Sequence, residues 1–60
     1  LSFVEMDQFA TKLKLIGRLV EKHGEQRNVI LAELQVALGA TTNEEEIELV
    51  DAFIAGLLKG

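Results

Sequence analysis

The sequence predicts an all-α fold, a single three-helix unit occupying residues 1–60. Three observations predict it. Apolar residues recur at spacings of three and four, glycines fall where the helical runs stop, and two segments carry the hydroxyl-x-x-Glu spacing of a helix start. No Pro interrupts the chain and no stretch alternates strictly between apolar and polar residues, so strands are not expected.

The first helix is expected over about residues 3–23. Ser2, three residues before Glu5, has the capping-box spacing, in which a hydroxyl accepts from a backbone N–H and the glutamate returns the bond. Good helix formers then run to His23, and Gly24 supplies the residue that best tolerates the left-handed backbone that ends helices. Met6, Phe9, Leu13, Ile16 and Val20 make the expected core face. At 100° per residue, Val4, Leu15 and Leu19 fall on the other side of the same helix.

The second helix is expected over about residues 26–38, stopped by Gly39. It repeats the doubled pattern, with Ile30, Leu34, Ala37 and Leu38 on one stripe and Val29, Ala32 and Val36 on another. The third is expected over about residues 43–58, opened by the capping-box spacing of Thr42 and Glu45. Its face is conventional: Ile47, Val50, Phe53, Ile54, Leu57 and Leu58 oppose Glu44, Glu48 and Asp51. Glu44, Glu45 and Glu46 complement the positive end of the helix dipole, and Lys59 the negative end.

A chain this short usually needs a disulfide, a metal or a partner to stabilise it. It has no Cys and one His, which leaves no disulfide framework and no Cys/His zinc site within one copy. With 48% apolar residues, self-association is the expected reinforcement. The simplest architecture is a homodimer of six helices, its interface formed by Val4, Leu15, Leu19, Val29, Ala32 and Val36. The alternative is that these side chains are exposed singly, as apolar residues on protein surfaces commonly are.

The longest apolar runs, residues 29–32 and 52–55, are far below the roughly 20 residues that span a bilayer. A soluble chain is expected, with no membrane partner and, in the absence of a signal-peptide pattern, a cytoplasmic location. The start at Leu1 suggests a fragment, which leaves open a dimerisation or docking domain of a longer protein.

Catalysis needs a nucleophile, a base and a group to orient them. Ser2 is the one serine and is expected to serve as a cap, and neither Cys nor Tyr occurs. His23, expected beside Glu21 or Glu25 at the end of the first helix, reads as a structural or solvated residue. The five glycines are scattered and form no phosphate loop. The chain is therefore expected to be a non-enzyme without cofactor or metal.

Charge offers one further signal. The net charge is −4, which argues against broad binding of nucleic acid, yet Lys14, Arg18 and Lys22 stand in one line on the first helix. Doubled in a dimer, that line is a candidate contact for DNA phosphates or an acidic protein, with a solvated basic face as the simpler alternative.

The segments Leu15-Ile16-Gly17-Arg18-Leu19-Val20, Val29-Ile30-Leu31-Ala32-Glu33-Leu34, Leu38, Thr42-Asn43-Glu44-Glu45-Glu46 and Ile54-Ala55-Gly56-Leu57-Leu58 resemble the AriR/Ymg-type bacterial proteins. These are small regulators of biofilm formation and acid resistance, also described as two-component connectors. The resemblance runs over residues 15–58 and rests largely on helix-core positions. It implies an all-helical homodimer that modulates signalling or transcription through protein contacts, with DNA binding as a possible addition. It brings no catalytic residue.

Overall fold

The computed structural model describes residues 3–60, with side chains from residue 6 onward. The chain forms three helices, α1 (Phe3–His23), α2 (Arg27–Leu38) and α3 (Glu44–Lys59), and no strand occurs among the described residues. Ser2 and the side chains of Val4 and Glu5 lie outside the described residues, and with them the first expected cap and one expected interface residue.

Backbone bonds explain where each helix ends. The amide of Gly24 donates to the carbonyl of Val20 (2.7 Å), and its φ of 65° lies in the left-handed region that glycine tolerates. Gly39 repeats the device with a φ of 69° and a bond to Gln35. Helix α2 starts one residue later than expected, with Gln26 at its N-cap and no side-chain cap.

Helix α3 corrects the expected cap. The box is formed by Asn43 and Glu46, one residue beyond Thr42 and Glu45. The Glu46 amide donates to Asn43 Oδ1 (2.9 Å), and the Asn43 amide donates to Glu46 Oε1 (3.0 Å). Both spacings occur in the sequence. Asn is the better N-cap of the two, and capping there turns Glu46 toward α1.

The helices pack up, down, up, so α1 and α3 run parallel with α2 antiparallel to both. The buried apolar core is Ile16, Leu19 and Val20 from α1, Ile30 and Leu34 from α2, and Val50 from α3. Leu15, Leu31, Leu38, Leu49 and Ile54 pack around it.

This core corrects the expected face of α1. Met6 and Phe9 are 53% and 43% exposed, because α1 has 21 residues against 12 in α2 and 16 in α3, and its first turns outrun both neighbours. Leu19, expected on an outer face, is 8% exposed and belongs to the core, while Leu15 is half-buried at its edge. A helix wedged between two others buries an arc of more than about 100°, and Leu19 lies only about 60° from Ile16. On α3 the expected stripe also divides. Val50 is buried and Ile47 and Ile54 are half-buried, but Phe53, Leu57 and Leu58 are exposed.

Candidate interaction surfaces

One polar clasp joins each pair of helices. Between α1 and α3, Lys12 Nζ lies 2.7 Å from Glu46 Oε2. Between α1 and α2, His23 Nε2 lies 2.6 Å from Glu33 Oε2, with Lys22 Nζ 3.9 Å from the other oxygen. Between α2 and α3, the Arg27 guanidinium grips Asp51, its Nε 2.6 Å from Oδ1. The partner of His23 is thus Glu33, which α2 brings across, rather than Glu21 or Glu25 on its own side of the turn.

The Lys12–Glu46 and Arg27–Asp51 clasps shift the groups that form them. The hydrogen bond from Lys12 holds the Glu46 carboxyl below the ordinary range against the opposing effect of burial, and the Asn43 amide adds to the lowering. Lys12 is raised in turn, chiefly by the same bond. Asp51 is lowered and Arg27 raised by their mutual hydrogen bond. Each charge is thereby tied to its partner.

Glu44, Glu45 and Glu46 do not converge. Glu46 points inward to Lys12, while Glu44 and Glu45 face solvent. The described residues contain no group of three or more acidic or histidine side chains placed to hold a metal ion.

The surface also carries many large apolar side chains. Met6, Phe9, Val29, Val36, Phe53, Leu57 and Leu58 are exposed large side chains, more numerous than the six apolar residues of the buried core. All but Leu58, near the end of α3, fall on two faces and an overhang. On α2, Val29, Ala32 and Val36 form an exposed stripe, with Val36 84% exposed. Along the seam of α1 and α3 runs an open, shallow groove lined by Gly17, Val20, Ala52, Phe53, Gly56 and Leu57, with Glu21 its one charged lining residue. Met6 and Phe9 project from the overhanging start of α1.

The side chains expected at an interface differ in burial. Val29, Ala32 and Val36 stand together on an open face, Leu15 is only partly available, and Leu19 is enclosed in the chain's own core. The groove was missed because Phe53 and Leu57 sit on the stripe of α3 that also carries Val50, and periodicity alone does not say where a stripe outgrows its core. The signal that marks it is Gly17 on α1. A Cβ there would meet the ring in ordinary contact, 3.5 Å from Phe53 Cε1, so this position faces Phe53 across the seam and adds no bulk between the two.

Lys14, Arg18 and Lys22 are all exposed along α1, and Lys22 is drawn toward Glu33. No helix among the described residues is long and apolar enough to cross a membrane. A scan of protein-family models and searches of curated proteins and of solved structures find no match to this chain.

Proposed function

We propose that this chain is a non-catalytic interaction module that associates with a second copy of itself and acts as a small regulator or connector. The observation that carries the reading is the imbalance between a buried apolar core of six residues and seven large apolar side chains in solvent. Total surface agrees with it. The folded chain exposes 4454 Å², against roughly 3,900 Å² for a compact monomer of its mass. Such patches mark contact sites on small domains.

The resemblance to AriR/Ymg-type proteins supports a role in bacterial signalling or transcription control, and a cytoplasmic location goes with that role. Six helices in a dimer would give each copy the partner surface it lacks. Sedimentation equilibrium at micromolar concentration tests the reading. A dimer is expected, and a folded monomer across that range would overturn it. Replacing Phe53 and Leu57 together by Ser should weaken association while helix content is kept, since both side chains are exposed.

A second reading, contact with DNA, rests on the exposed line of Lys14, Arg18 and Lys22. Titration of duplex DNA over a salt series tests it. Binding that weakens steeply with salt supports the reading, and no binding at low salt ends it.

A further inference from the structure

We infer that the second copy docks antiparallel on the α1/α3 groove, about a two-fold axis that crosses α1 beside Gly17 and α3 beside Phe53. This rests on the self-association proposed above and adds which face is used and in what register. The argument is charge complementarity around an apolar centre.

The groove has charged banks. On α1, Lys14 and Glu21 lie within about 60° of Gly17, both turned toward solvent, at 100° per residue. On α3, Glu48 lies about 40° from Ala52 and Lys59 about 60° from Gly56, again on the solvent side. All four are exposed, and none takes part in an ion pair among the described residues. Within about 60° of the groove floor each bank thus carries one acid and one base at opposite ends, and exposed Arg18 stands further round α1, about 100° from Gly17, on the outer rim.

A two-fold axis perpendicular to the helices lays α1 on its own copy and α3 on its own copy, each pair antiparallel. Lys14 then meets the partner's Glu21 when the axis crosses α1 between positions 17 and 18. Glu48 meets the partner's Lys59 when the axis crosses α3 between positions 53 and 54. These two crossings are at nearly the same height, because Gly17 packs against the ring of Phe53. One axis therefore satisfies both pairings, and symmetry makes each of them twice. At its centre the two Phe53 rings meet over the floor of Gly17, Ala52 and Gly56.

Exposed ion pairs add little affinity on their own, but like charges placed opposite each other set register and exclude wrong pairings. Reversals in trans read that register. Lys14→Glu alone and Glu21→Lys alone should each weaken dimerisation about tenfold in sedimentation equilibrium, because each places like charges together twice. Mixed in equal amounts, the two variants should form a heterodimer close to wild-type affinity. Glu48→Lys and Lys59→Glu provide an independent pair with the same expectation, and circular dichroism checks that each exposed substitution keeps its helices.

Restoration of Lys14→Glu by Glu48→Lys in place of Glu21→Lys would show α1 lying on the partner's α3, and would overturn the antiparallel register. Reversals that leave a wild-type dimer unchanged, with Val36→Ser dissociating it, would move the interface to α2 and overturn the inference while self-association stands. A monomeric wild-type chain overturns both.

Discussion

At the scale of single residues, the start of α3 shows how a tie in the sequence is broken. Thr42 and Asn43 each have a glutamate three residues on, yet only Asn43 closes the box with Glu46. Asn43→Ala should therefore cost about 1 kcal/mol in urea unfolding, while Thr42→Ala should cost only a few tenths. Equal costs would mean that the box does not hold α3. Glu46 also answers to α1 through Lys12, and this makes it an acid-sensitive point of the fold. Its carboxyl is lowered in the folded chain, so its contribution is fully present above the ordinary carboxylate range and is lost as the pH falls through its lowered value. Between about pH 7 and about pH 3, wild type should lose more unfolding free energy than Glu46→Gln, which starts weaker and varies less. Parallel pH profiles for the two would show that the Lys12 clasp contributes nothing to stability.

At the scale of elements, helix ends were legible and the inner face of α1 was not. Gly24 and Gly39 stop their helices because only their backbone adopts the left-handed turn cheaply, a local property that sequence carries in full. Which arc of α1 is buried depends on where α2 and α3 end, and that is a matter of lengths and packing rather than of α1 itself. Met6 and Phe9 therefore continue the apolar period into open solvent, while Leu19 turns inward beside Ile16 and Val20. The clasps were hidden for a related reason. Glu33 and Glu46 lie next to core positions on their own helices, but their partners Lys12 and His23 come from another element. The outer stripe of α2, with Val29 and Val36, was legible because few neighbours reach it. These placements change what a substitution at Leu19 should do. Leu19→Ala should destabilise the fold by about 2–4 kcal/mol, seen as lost helix content and a lower urea midpoint at every protein concentration. A Leu19 variant that stayed fully helical and merely dissociated would place that side chain at the interface and contradict its burial.

At the scale of the whole molecule, the balance between a small core and a large apolar surface has a thermodynamic consequence that no single side chain reveals. Six buried apolar residues and three clasps hold one copy together, so on the self-association proposed above much of the folded state's stability should come from the second copy. If folding and association are linked in this way, unfolding releases two chains from one dimer and its midpoint must rise with concentration. Above the dissociation constant, each tenfold increase adds about 1.4 kcal/mol per dimer. Spread over an unfolding entropy of about 2.1 cal/mol/K per residue, that raises the midpoint by about 5 °C. Scanning calorimetry over a hundredfold range of concentration should therefore show a shift of about 10 °C in wild type. The Phe53→Ser, Leu57→Ser variant, with the groove face made polar, should melt lower and with little dependence on concentration. A wild-type midpoint that does not move would mean that one copy folds to its full stability alone, and the exposed side chains of α1, α2 and α3 would then need an explanation other than a second copy.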